Sequence, residues 1–229
     1  MGKVAFFVDG HFMFKRISLF KSFFMDGPNI REYCLRHLKD KETLYRIFYY
    51  DTPPLERVAK KPFGTEVNFA ESKAAVRVRT LLQSICETPN MALRLGKSSW
   101  QNDWLLSSIK FKKIADGDTS EFTDDDFYPN IKQKAVDMKI GLDIATLAYK
   151  KLADRVVLIA GDSDFAPAAK LARTEGVHIT LDPLGNKVPD DLLKHIDSMC
   201  TKLDPDDPTQ VATTKKTFFV QPKKTLPEI

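Results

Sequence analysis

Two short apolar runs, each ending abruptly in carboxylates, constrain this chain more than any other feature. The first, Val4-Ala5-Phe6-Phe7-Val8, stops at Asp9-Gly10. The second, spanning Arg155 to Ala160, stops at Gly161-Asp162-Ser163-Asp164. A strand with one wet face alternates apolar and polar residues, whereas an unbroken apolar run of this length is covered on both faces. Both runs therefore predict inner strands of a parallel sheet with acids at their carboxyl ends.

The rest of the pattern supplies the covering layers. A helical stretch is expected from His11 to Leu19, and Pro28 opens a second helix over Asn29–Lys39. Leu44–Tyr50 reads as a strand running into the loop Asp51-Thr52-Pro53-Pro54. Glu66–Cys86 has no Gly or Pro and is read as one long helix, and Met91–Leu95 as a strand. Asp137–Leu152 carries Ile140, Ile144, Leu147 and Ala148 on one helical face. Phe165–Glu175 is a helix closed by Gly176, followed by a strand over Val177–Leu181 and a last helix over Pro189–Ser198. Strands alternating with helices predict an α/β fold, a doubly wound, mostly parallel sheet with helices on both faces. Residues 97–130, with Trp100, Trp104 and the acidic stretch Asp116–Asp126, fit no such unit and read as an insertion or flexible arm. One domain over residues 1–200 is expected, with 201–229, rich in Pro, Lys and Thr, as a loosely attached tail.

Several function classes drop out. No apolar run is long enough to span a bilayer, and the apolar residues before Asp9 are too few for a signal-peptide core. Cys34, Cys86 and Cys200 are far apart and form no C-x-x-C pair, which argues against a zinc site or disulfide framework and for a reducing, cytoplasmic setting. A net charge of +4 and a pI near 8.8 permit a polyanionic partner without requiring one. No Gly-x-Gly-x-x-Gly follows a strand, and neither a Walker A sequence nor a Gly-x-Ser-x-Gly elbow is present. Gly10-His11 after Asp9 also departs from the Asp-x-Asp of HAD-type phosphatases.

What remains is the carboxylates. Ligands of open parallel sheets bind at the carboxyl ends of the strands, where the strand order reverses. Asp9, Asp162 and Asp164 end strands, and Asp137 starts the helix just before the Arg155–Ala160 strand, so all four reach one rim. Each has a local alternative as a helix cap or turn former. Crowded carboxylates repel unless a cation neutralises them, and hard oxygen donors suit Mg²⁺ or Mn²⁺. Such an ion positions an attacking water and stabilises charge building on a phosphate. The same four acids are thus the candidate metal ligands and catalytic groups. Asp143 either supports them from outside the metal site or pairs with Lys139 at the surface. His11, Lys134, Lys139, Ser163 and Arg173 are candidate substrate contacts. For His11 a structural role is the alternative, for Lys134 an exposed strand lysine, and for Ser163 a helix cap.

Phe7-Val8-Asp9-Gly10, Lys134-Ala135-Val136-Asp137 and Leu158-Ile159-Ala160-Gly161-Asp162-Ser163-Asp164-Phe165 together resemble, in order and spacing, the NYN domain family (LabA-like, formerly DUF88) of the PIN-like nuclease superfamily. The resemblance covers residues 3–183, with 97–130 poorly matched. It implies a Mg²⁺- or Mn²⁺-dependent ribonuclease cutting single-stranded or structured RNA endonucleolytically, with Asp9, Asp137, Asp162 and Asp164 as its acids. Two positions depart from the family's pattern: His11 where Asn is usual, and Ala135 where Gly is usual. The rival reading is a PIN-like module that binds RNA or a nucleotide without cutting; a nuclease directed at DNA is a third. Trp100 and Trp104 either stack bases or pack internally. The Glu66–Cys86 helix and the tail are candidate surfaces for a homo-oligomer, or pack within the chain.

Overall fold

The computed structural model describes residues 2–17 and 24–202. In chain order the first elements are β1 (Gly2–Asp9), α1 (Gly10–Ile17), α2 (Gly27–Leu35), β2 (Glu42–Asp51), β3 (Val58–Lys60), β4 (Glu66–Asn68) and α3 (Lys73–Glu87). There follow β5 (Met91–Leu95), β6 (Lys97–Ser99), β7 (Trp104–Leu106), α4 (Ser108–Ala115), β8 (Phe127–Pro129) and β9 (Lys132–Lys134). The last are α5 (Val136–Tyr149), β10 (Arg155–Ile159), α6 (Ala166–Thr174), β11 (His178–Asp182), α7 (Asp190–Leu193) and β12 (Ser198–Met199). The chain divides into two compact units. The larger is drawn from Met1–Asp51, Leu81–Leu95 and Ala135–Ile229, the smaller from Thr52–Thr80 and Gly96–Lys134.

The larger unit holds a six-stranded sheet in the order β12-β11-β10-β1-β2-β5, parallel throughout. From β1 the chain winds outward to β2 and β5, then returns to β10 on the other edge of β1 and winds the opposite way. That reversal is the doubly wound pattern, and it lies between the two apolar runs. Val4, Ala5, Phe6, Phe7 and Val8 are completely buried, as are Val156 to Ile159. Alternate side chains serve opposite faces. Phe7 and Leu158 join the core formed with α5 and α6, including Ile140, Ile144 and Ala169. Phe6 turns the other way and meets the His37 ring just beyond α2, 6.1 Å between centroids.

Several boundaries differ from expectation, each for a tertiary reason. The first helix is described only to Ile17, so the expectation for residues 18 and 19 lies outside the described residues, as does that for the tail beyond residue 202. α2 ends at Leu35, because the amides of His37 and Leu38 bond to carbonyls three residues back and tighten the chain. The long helix expected from Glu66 begins only at Lys73. Residues Glu66–Asn68 pair antiparallel with Val58–Lys60 instead, and the Ser72 hydroxyl accepts from the Ala75 amide to start α3. The last helix is short, since Asp197 exchanges bonds with the Ile179 amide and carbonyl and leads the chain into β12 at the sheet edge. α6 stops as its sequence dictates. Gly176, at φ +85°, donates to Arg173 and the Val177 amide donates to Ala172, the paired bonds of a Schellman cap.

The smaller unit holds three antiparallel pairs, β3–β4, β6–β9 and β7–β8, and a cluster of rings. Trp100 packs on Phe69 and Trp104 at 5.3 Å each, with the Arg57 guanidinium 5.0 Å above it. The tryptophans are packing residues here. The acidic stretch serves its own loops: Asp124 accepts from the amides of Phe63 and Thr65, and Asp118 from that of Ser120. Residues 97–130 thus carry regular elements, β6, β7, α4 and β8.

Candidate functional site

Asp9 ends β1 and begins α1. Its Oδ1 accepts the Phe12 amide at 3.0 Å, which is the N-cap geometry of α1. The helix can start there because residue 10 is glycine: a Cβ at Gly10 would lie 2.5 Å from the Tyr49 hydroxyl and 2.7 Å from the Tyr50 carbonyl oxygen. Across the reversal a Cβ at Gly161 would run into the Phe12 ring. The two glycines let the first turn of α1 lie against both β2 and the end of β10. Beyond Gly161, Asp162 Oδ1 accepts the Asp164 amide at 3.0 Å and fixes a short 3₁₀ turn, Ser163–Phe165. Asp137 is the second residue of α5. Capping and clustering are therefore not rivals at Asp9 and Asp162: the cap bond holds the carboxylate in place at the rim.

The acids feel one another. Burial above all, and then the charges of Asp137 and Asp51, push the Asp9 carboxyl up to about 6, against the opposing pull of the Phe12 amide. Burial, then Asp162 and Asp164, raise that of Asp137. The structure thus strings five carboxylates together electrostatically, Asp51 to Asp9 to Asp137 to the Asp162/Asp164 pair. Asp51 was not singled out from the sequence. It ends β2, beside β1, where Tyr50 pairs with Asp9, and it faces the Tyr49 hydroxyl at 3.4 Å. Its signal was an apolar strand stopping at an acid, hidden by the Pro53-Pro54 that follows.

A strand-terminal acid is not by itself a site residue. Asp182 ends β11 but is fully buried, accepting from the Tyr33 hydroxyl, His37 Nε2 at 3.0 Å, the Leu184 amide at 2.9 Å and the Thr201 hydroxyl at 2.7 Å. Asp143 accepts from the Tyr50 hydroxyl at 2.8 Å and from Arg94 Nε at 3.2 Å, and so braces α5 against β2 and β5. His11 is exposed in the first turn of α1, its pKa lowered by burial and by Lys15. Lys139 is exposed on α5, and Ser163 is half-buried in the turn between Asp162 and Asp164. Lys134 is exposed at the end of β9, in the smaller unit. Arg173 lies near the far end of α6, about 12 Å along the helix from the Asp164 turn. There it pairs with Asp197 at 2.9 Å and donates to the Lys194 carbonyl.

These features define a class: a doubly wound α/β domain with an acidic rim at its topological switch point. Residues 3–201 match the NYN domain, so the chain belongs to the NYN domain family, a PIN-like α/β fold of a nuclease superfamily. A solved structure of a protein of unknown function from Vibrio parahaemolyticus is similar at 14% identity over 89% of this chain and 94% of that one, with a TM-score of 0.49. No protein of curated function matches. No described helix is long and apolar enough to cross a membrane.

Domains of this superfamily typically use divalent metals, and the donor chemistry here agrees. All five acids offer hard oxygens, and the Asp9 carboxyl is pushed up to about 6 by burial first and then by the charges of Asp137 and Asp51, against the pull of the Phe12 and His11 amides. Among the described residues no group of three or more His, Cys, Asp or Glu side chains is placed to hold a metal ion. Carboxylate oxygens are nonetheless the donor type that hard divalent cations take, often only one or two of them with waters completing the shell.

Proposed function

We propose that this protein is an endoribonuclease whose rim acids hold Mg²⁺ or Mn²⁺. The observation that carries this reading is the set of carboxylates gathered at the switch point: Asp9, raised by burial and then by the charges of Asp137 and Asp51, and Asp137, raised by burial and then by the charges of Asp162 and Asp164. When bound, the divalent cation supplies charge neutralisation and a nucleophile strong enough to attack a phosphodiester at neutral pH. The chain's own residues do the placing. The cap bonds on Asp9 and Asp162 fix two carboxylates on opposite sides of the reversal, and Asp137, at the start of α5, stands between them electrically. Asp143 holds Tyr50 and Arg94, supporting the strands beneath rather than touching the ion.

His11 and Lys139 lie near the rim acids in the chain and are assigned to substrate phosphates, with Ser163 as a further polar contact. Arg173 would touch only an RNA that continues well past the cutting point. The unpaired thiols Cys34, Cys86 and Cys200 support placement in the reducing cytoplasm. The test is cleavage of labelled RNA and the matching DNA with Mg²⁺, Mn²⁺ or EDTA, alongside the Asp162→Asn/Asp164→Asn variant. We expect metal-dependent cutting of RNA that the variant loses by at least about a hundredfold. Full cleavage by the variant would remove the acids from the mechanism. RNA retained intact at enzyme excess would favour a binding module, and equal cutting of DNA would overturn the RNA preference.

A further inference from the structure

Where α6 ends and β11 begins, the turn after α7 closes a cleft of about 460 Å³. Its walls carry Lys170 and Arg173 from α6, His178 from β11, and His195 and Asp197 from the turn. The one carboxylate is already engaged. Asp197 pairs with Arg173 Nε at 2.9 Å and accepts the Ile179 amide at 2.8 Å, with His178 Nδ1 3.9 Å away. It holds Arg173 and His178 in place, whereas Lys170 Nζ and the His195 ring have no hydrogen-bond or ion-pair partner among the described residues. The charges facing His195 are mostly of one sign: Lys170 and Arg173 from α6 and its neighbour Lys194, opposed by Asp191. Burial first, and then these cations, hold its imidazole below the usual value, so near neutrality the ring is mostly uncharged. The end of α6 adds little negative charge of its own. The Gly176 and Val177 amides take the Arg173 and Ala172 carbonyls, and Glu175 is not among the walls.

We propose that this cleft binds a phosphate group, and that the group belongs to the backbone of an RNA strand. The donor set suits it. Arg173 commits Nε to Asp197 and Nη1 to the Lys194 carbonyl and keeps Nη2 open. Lys170 offers an ammonium, and His195 a ring N–H. Phosphate oxygens accept from all three, and the arriving negative charge lets the His195 imidazole take a proton and become a further cation. The route to the rim selects the source. Pro167, Lys170, Arg173 and Thr174 form the exposed face of α6 and include no acid. Lys170 stands about 8 Å along the helix from the Asp164 turn, and Arg173 about 12 Å. A strand lying along this face keeps one phosphate in the cleft while its next stretch reaches Asp164. The choice of RNA as the source rests on the proposed function; the phosphate site does not.

The site is tested with inorganic phosphate alone, in EDTA, by NMR of the histidine rings of the full chain, with His195→Gln identifying the His195 signal. That signal should move saturably with phosphate, and its titration midpoint should rise by at least about half a unit over that in chloride of equal ionic strength. Lys170→Gln alters an exposed position, so its circular dichroism and melting should match the parent while phosphate binds at least about fivefold more weakly. No saturable movement up to about 50 mM phosphate, or saturation indifferent to Lys170→Gln, would overturn the site. The source is read with a short single-stranded RNA, again in EDTA so that nothing is cut. It should move the same signal, and Lys170→Gln should weaken its binding at least about threefold. Movement with phosphate but not with RNA would make a free phosphate the ligand and overturn the strand. The two readings fail separately. An RNA that moves the His195 signal but is never cut when metal is added would overturn cleavage at the rim and keep the cleft. An RNA cut with metal while that signal stays unmoved would overturn the cleft alone.

Discussion

Asp9 concentrates three demands in one carboxyl: it closes β1, caps α1 and sits among other negative charges. An unfolded aspartate titrates near about 3.9, whereas here the carboxyl titrates at about 6. Through that window the folded chain keeps a proton that the unfolded chain has lost. The contribution of Asp9 to stability is therefore lost as pH rises from about 4 to about 6. On the proposed reading, a divalent cation that binds only the assembled carboxylates would restore it. Melting followed with and without Mn²⁺ should show a larger metal-induced rise at pH 7.5 than at pH 5, and Asp9→Asn should flatten the difference. Equal rises at both pH values in the parent would uncouple Asp9 from metal. The positions of Asp9, Asp162 and Asp164 could be read because each follows an apolar run, and that of Asp137 because it opens a helix. The partners of Asp143 were not. Tyr50 and Arg94 lie 93 and 49 residues away, and the local signal pointed to Lys139 instead.

At the scale of elements, the start of α5 is where sequence and backbone explain each other. Ala135 precedes the helix at φ +68°, in the left-handed region where a Cβ is penalised and glycine is at ease. The family's usual glycine at this position is thus a backbone requirement, which this chain meets with strain. Ala135→Gly should stabilise the protein by about 1 kcal/mol, read as a higher midpoint in urea with an unchanged slope; a lower midpoint would mean the helix does not start this way. Gly161 works in reverse. The Phe12 ring fills the space of any side chain there, so Gly161→Ala should destabilise by about 1–3 kcal/mol and push the Asp162 turn away from Asp9. A melting curve matching the parent's would count against that packing. Helix ends with their own chemistry, such as Gly176 closing α6, could be read in advance. The late start of α3 could not, because it depends on β4 pairing with β3, and helical spacing alone carries no record of a pairing partner. The edge strand β12 escaped for the same reason.

Over the whole molecule, Asp182 ties parts of the chain that are remote in sequence: Tyr33 and His37 at and beyond the end of α2, and Thr201 after β12. Four donors converge on two oxygens. Asparagine would turn an NH₂ group toward some of them, so Asp182→Asn should cost about 2–4 kcal/mol and lower Tm by roughly 5–15 °C. A shift under about 2 °C would show the network to be dispensable. The winding of the large sheet followed from the two apolar runs and the helices between them. The smaller unit did not, because its two stretches each pair within the unit and neither carries a strong period of its own. The strand order also has a meaning in time. β1 pairs β2 early in the chain, but its other neighbour, β10, is made some 150 residues later, Val4 meeting Arg155. As the polypeptide leaves the ribosome, Asp9 and Asp51 come first and Asp137, Asp162 and Asp164 follow only in the second half. A chain cut short in translation carries two acids beside an open strand edge, so an unfinished product is apt to pair wrongly yet lacks the full acidic rim.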